Sequence, residues 1–149
     1  KQQLLAAVLD AENERLLERQ RLMFAGPEPL AHKYRVSCEY LLEDLRSGYV
    51  RILWELWAAG LADEELASRW RAALEGWRTL LTEVADAWME EHGIELPLSA
   101  RAVATLVGDA FLGAETEILA GITEEEAPHY AALESVAALI EWAERRAAI

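Results

Sequence analysis

The sequence predicts an all-α fold, one domain over residues 1–149 arranged as a bundle of about six helices. Three observations predict it. Apolar residues recur at three- and four-residue steps through most of the chain, the period of a helix with one buried stripe. Glycine and proline number only eight and four, and most fall between the periodic stretches. No apolar–polar alternation of useful length marks a strand.

The first helix is expected from about Gln2 to Phe24, with Leu5, Leu9, Leu16 and Met23 near one face. Its charge-dense stretch Glu12–Arg21 reads as a solvated face, as does the acidic run Glu124–Glu126 farther on. Gly26, Pro27 and Pro29 stop it, because proline cannot continue the hydrogen-bond ladder. The second runs from about Leu30 to Ser47, with Tyr34, Cys38, Leu41, Leu42 and Leu45 in step, and Gly48 supplies the left-handed cap. The third, about Tyr49 to Ala59, is apolar nearly all round and is expected to be buried. Gly60 closes it. The fourth runs from about Glu64 to His92, with Asp63 as N-cap and Glu64 and Glu65 suiting the positive end of the dipole. Leu66, Trp70, Ala73, Trp77, Leu80, Val84 and Trp88 make a sustained stripe along it, and Gly93 ends it. The fifth, about Leu98 to Ala120, carries Gly108 and Gly113 in its interior, where each costs about 1 kcal/mol against alanine. Two such residues suggest a close approach by a neighbour. The sixth runs from about His129 to Ala148, and Thr123 with Glu126 has capping-box spacing ahead of Pro128.

At 149 residues, folding buries roughly 68–70 % of the unfolded chain's surface. With 53 % hydrophobic residues the core needs neither disulfide nor metal. The lone Cys38 suits a reducing cytoplasm and reads as a small buried apolar group. A net charge of −13 opposes phosphate backbones, and the basic residues are scattered. Nucleic-acid or membrane binding by this segment is therefore not expected. Charges also interrupt every apolar run before membrane-spanning length. The chain enters helical sequence at Lys1 without an initiating Met, which reads as a fragment or processed product of something longer.

A homodimer is expected. On the fifth helix Val103, Leu106, Val107, Ala110 and Ala114 exceed what one neighbouring layer covers. On the sixth, Leu133, Val136, Ala137 and Ile140 form an a/d-like stripe among many alanines. These two helices are assigned to a four-helix interface with their symmetry copies.

The run Lys1-Gln2-Gln3-Leu4-Leu5-Ala6-Ala7-Val8-Leu9-Asp10 resembles the start of the helix that follows the helix-turn-helix head in TetR-family transcriptional regulators. Tyr49–Val84, a short aromatic helix, a turn and a long helix, looks like the middle of that family's regulatory domain, and the last two helices resemble its dimerising pair. The resemblance is one of pattern and helix order over the whole chain. It implies a ligand-sensing and dimerisation domain of a bacterial regulator, with repression the expected sense. DNA would be reached only through an N-terminal head that this chain lacks. It also implies that the third, fourth and fifth helices surround an effector pocket.

Six tryptophans supply the expected chemistry: Trp54, Trp57, Trp70, Trp77, Trp88 and Trp142. Ligand pockets are mostly apolar and aromatic, with a few polar groups that fix orientation. The residues assigned to a pocket for a small apolar or amphipathic effector are Tyr49, Leu53, Trp54, Trp57, Trp77, Leu81, Trp88, Thr105, Asp109 and Phe111, with Glu115 a further polar candidate. The effector would bias the dimer between arrangements and so shift the heads relative to half-sites about 34 Å apart. No enzyme is expected. Only Glu126 and His129 have di-iron spacing, and neither a Gly-x-Ser-x-Gly elbow nor a phosphate-cradling loop occurs. No catalytic residue, metal or cofactor is assigned, and the histidines read as helix-end residues. The alternative is a helical protein-interaction module with a solid core.

Overall fold

Each periodic stretch becomes one helix. The computed structural model describes residues 2–148; Lys1, Ile149 and the side chains of Gln2 and Leu5, hence Leu5's expected place in the first stripe, lie outside the described residues. The helices are α1 (Gln2–Ala25), α2 (Leu30–Arg46), α3 (Tyr49–Gly60), α4 (Glu64–His92), α5 (Ala100–Leu119) and α6 (His129–Ala147), with no strand among the described residues.

Their ends follow local chemistry. Asp63 accepts from the backbone N–H of Glu65 and Leu66 at 3.0 and 3.1 Å. The Ser99 side chain caps α5 by accepting from Ala102 N–H at 3.2 Å, which starts that helix two residues later than its apolar pattern suggested. Gly48 and Gly93 hold φ of +79° and +61°, where a β-carbon would be strained. Gly60 has another reason: a Cβ there would meet that of Leu66 at 3.3 Å, where α4 begins. Glu126 does accept from Thr123 N–H at 2.9 Å, but it closes a turn, and Pro128 delays α6 to His129.

α4 packs chiefly on α5 and also on α1 and α3; α2 packs chiefly on α6 and also on α3 and α1. α5 and α6 touch only sparsely. One buried cluster joins Ala31, Tyr34, Cys38 and Leu41 of α2 to Val50, Ala114, Leu133 and Ala137. Ion pairs tie helices at the surface, among them Arg35–Glu141 at 2.7 Å and Arg101–Glu75 at 2.8 Å.

Four expectations are corrected. Ala114, Leu133 and Ala137 are not free to meet another subunit, because they are buried at 6, 4 and 0 % exposure inside this chain. α6 turns its small-residue stripe onto α2. Val107, Val136 and Ile140 are half-buried against the same cluster, and Val103 is half-buried too, which leaves Leu106 and Ala110 as the assigned interface residues that are exposed. α3 is not wholly buried, since Ile52 is 53 % exposed. Gly108 and Gly113 permit no close approach within the chain: a Cβ at either would meet nothing within 4 Å. Finally, Glu12–Arg21 is not simply a solvated face. Arg19 of α1 is mostly buried, pairs through both terminal nitrogens with Asp44 of α2, and lies 4.3 Å from the ring centre of Tyr40.

Candidate functional site: an aromatic cavity between five helices

Between α1–α3 on one side and α4–α5 on the other lies a cavity of about 230 Å³. An apolar cavity of ~150 Å³ is already enough to take up benzene. The walls follow from helical period. α4 presents Trp70, Leu74, Trp77 and Leu81 at three- and four-residue steps, and α5 presents Ala104, Gly108, Phe111, Leu112 and Glu115. α3 adds Tyr49, Val50, Leu53, Trp54 and Trp57. Trp54 and Trp57 stand edge to face, 4.8 Å apart at 85°, and Tyr34 meets Phe111 at 5.9 Å and 74°. Gly108 leaves open volume where a side chain would stand.

The polar groups fall into distinct classes. Some are paired within the chain: the two terminal nitrogens of Arg19 with Asp44, and Ser37, whose hydroxyl donates to Gln20 Oε1 at 3.1 Å. The Trp70 indole N–H and the Nε–H of Arg19 are buried with no hydrogen-bond partner among the described residues, and the buried Tyr34 and Tyr49 hydroxyls lie near Cys38 and Glu12. Most buried polar atoms are bonded, so each such orphan calls for an explanation. Burial raises the Tyr49 hydroxyl above its ordinary pKa, with nearby Glu12 adding to the rise and Arg15, 5.4 Å from the ring centre, opposing it. Glu115 accepts one hydrogen bond, from the Trp54 indole at 3.0 Å. Burial pushes its carboxyl up to about 7, against the lowering effect of that bond. No basic partner offsets the burial.

Nine of the ten residues assigned to a pocket from the sequence, Tyr49, Leu53, Trp54, Trp57, Trp77, Leu81, Thr105, Asp109 and Phe111, border this one cavity. Asp109 stands at its exposed edge. Trp88 is corrected: its indole donates to Glu144 of α6 at 2.9 Å, and its ring lies 6.2 Å from His92, away from the cavity. Trp142 is also elsewhere, 53 % exposed with the Arg146 guanidinium 5.2 Å from its ring centre. The sequence reading missed the walls from α1 and α2, namely Asn13, Leu16, Gln20 and Phe24 with Tyr34, Ser37 and Leu41. The available signal was polar: Gln20 and Ser37 sit on otherwise apolar helical faces and are only 7 % exposed.

Cys38 is buried, and that burial raises its thiol to about 11, which leaves it protonated and unreactive. Among the described residues no group of three histidine, cysteine or carboxylate side chains is placed to hold a metal, and no helix is long and apolar enough to cross a membrane. A second, shallow groove between α5 and α6 is lined by Ala110, Gly113, Ala132 and Val136, with His129 and Glu117 3.4 Å apart at its end. No family model, curated protein or solved structure matches the chain.

Proposed function

We propose that this chain binds a small, largely apolar molecule in the interhelical cavity and acts as the sensing and dimerising domain of a TetR-like transcriptional regulator. The observation that carries the binding half is the cavity itself: aromatic walls from α3, α4 and α5 and unfilled volume beside Gly108, with the Trp70 indole N–H buried without an acceptor at its wall. A solid-core interaction module would fill that volume, because protein interiors pack to crystal-like density with few voids larger than a water.

The dimerising half is supported by exposed apolar groups on the outer helices. Leu106 of α5 and Leu139 and Trp142 of α6 are 59, 62 and 53 % exposed, and Ala110 and Gly113, which follow Leu106 at four- and three-residue steps along α5, add no bulk. This face differs from the one expected from sequence, being shifted off the buried Leu133–Ala137 stripe.

The test combines two measurements on Trp77→Ala. Trp77 borders the cavity and is remote in sequence from the α5 and α6 faces. The expected result is at least a tenfold loss of affinity for an apolar probe such as tert-butylbenzene, with the sedimentation-equilibrium dimer constant unchanged. Equal loss of both would mark Trp77 as core and count against a sensing cavity. Reading the gene upstream of the Lys1 codon tests the regulator half. A basic helix-turn-helix segment there supports it, and an unrelated sequence removes it.

A further inference from the structure

We propose that the molecule the cavity selects is a hydrophobic cation, with a quaternary or protonated ammonium head against Glu115 and an apolar body among the rings of Trp54, Trp57 and Phe111. This rests on the binding half of the reading above and specifies the chemistry of the ligand.

The argument is one of charge balance in a confined space. Five side chains that carry charge at neutral pH in water border the cavity, Arg19, Asp44, Arg78, Asp109 and Glu115, beside the neutral phenols of Tyr34 and Tyr49. Arg19 and Asp44 neutralise one another, and Arg78 binds Glu75 at 2.9 Å. Asp109 stands at the exposed edge, where water solvates it. Glu115 remains. Its one hydrogen bond comes from a neutral indole, and the charged group that acts on it most is another acid, Asp44. A carboxylate withdrawn from water without a counter-charge is strongly unfavourable. A cationic ligand supplies the missing charge.

The surrounding groups favour the same class. The Trp54 and Trp57 rings form a corner at 85°, and Trp54 itself holds the carboxylate, so aromatic faces and the negative charge adjoin. A desolvated cation within about 6 Å of a ring centroid is attracted by the negative face of the ring. The chain's net charge of −13 draws cations toward the protein and repels anions. The same positions explain how α5 serves both needs. Gly108, Phe111, Leu112 and Glu115 follow the three-four spacing of one helical face, so the acid is delivered into an otherwise apolar wall.

Phenyltrimethylammonium and tert-butylbenzene share a shape and differ by the charge, which makes them the probes. Each is titrated into the protein at pH 8, read by tryptophan fluorescence and calorimetry. The cation is expected to bind at least tenfold tighter than the neutral compound. Glu115→Gln keeps an acceptor for the Trp54 indole, and it should abolish that preference while leaving tert-butylbenzene within twofold. A second measurement needs no variant. Phenyltrimethylammonium should bind about tenfold more weakly at pH 6 than at pH 8, because only the ionised Glu115 pairs with it. No histidine borders the cavity to titrate in its place; of the other charged groups there, Arg19 is paired with Asp44, Arg78 with Glu75, and Asp109 stands at the exposed edge. Binding of tert-butylbenzene alone overturns the cation inference and leaves the cavity reading intact. Failure of both probes to bind overturns the cavity reading and this inference with it. A cation preference that survives Glu115→Gln overturns the assignment of the site.

Discussion

Replacing Glu115 by glutamine should stabilise the folded chain, by an amount that grows as pH rises above about 4.5 and is fully present above about 7. The carboxyl is raised from 4.5 to about 7, chiefly by burial. Between those values the unfolded chain releases its proton while the folded chain keeps it. Stability therefore falls as pH rises through this window, levels off above about 7, and is unaffected by this group below 4.5. The rise corresponds to a ceiling of about 3 kcal/mol. Glu115 keeps some contact with solvent, which screens part of the charge, so the expected effect at pH 8 is about 1–3 kcal/mol. Glutamine fills the same space and can accept the Trp54 hydrogen bond, so it removes the charge and little else. The assay is urea unfolding followed by far-ultraviolet circular dichroism, at pH 4 and pH 8 and at one protein concentration, since association would otherwise shift the midpoint. At pH 4 the two proteins should agree within about 0.3 kcal/mol. At pH 8 the variant should lead. A gap that does not change with pH, or a variant less stable at pH 8, would refute the claim that Glu115 lies desolvated and unpaired.

Two further substitutions probe the surroundings. Gly108→Ala should stabilise by about 0.5–1 kcal/mol, because alanine is the better helix former and its Cβ meets nothing within 4 Å. Gly108→Leu should instead occupy the cavity and abolish tert-butylbenzene binding with little change in melting temperature; undiminished binding would mean that the probe sits elsewhere. Leu133→Ala should lower stability by about 2–5 kcal/mol to the same extent at two protein concentrations tenfold apart, as expected of a core residue 4 % exposed. A loss that shrinks at the higher concentration would return Leu133 to a subunit interface.

The sequence made the helices legible because their signals are local. The stripe from Leu66 to Val84 and the Asp63 cap fixed α4 residue for residue. What it hid were relations between helices. Trp88 continues the α4 stripe in register with Trp77 and Leu81, yet it lies eleven residues, or about 16 Å, beyond Trp77 along the axis. That carries it past the cavity to Glu144. Periodicity reports which face a residue occupies and says nothing about where the partner across that face ends. The stripe of Leu133 and Ala137 fails for a related reason. Small side chains permit close packing against any helix, and the helix in question is α2 of the same chain rather than a symmetry copy. The Arg19–Asp44 pair joins residues 25 positions apart within charge-rich stretches, where nothing local distinguishes a pairing charge from a solvated one.

On the proposed reading, α5 is where ligand binding would be felt by a partner subunit. Its Gly108, Phe111 and Glu115 border the cavity, while Leu106, Ala110 and Gly113 face outward or toward the groove beside α6. The two sets lie on different sides of one 20-residue helix. α5 packs chiefly on α4 and only sparsely on α6, so it has a firm support on the cavity side and a loose one on the outer side. A ligand that wedges between Phe111 and the α4 tryptophans therefore has an unequal effect: α5 would be displaced more easily against α6 than against α4. Packed helices transmit such displacements as whole units, because close-packed interiors have low compressibility. A shift of α5 against α6 would change the spacing of Leu106 from Leu139, the two exposed leucines on which a second copy would seat. The ligand would then alter the dimer through the helix it touches, and its leverage would equal its difference in affinity between the two positions of α5.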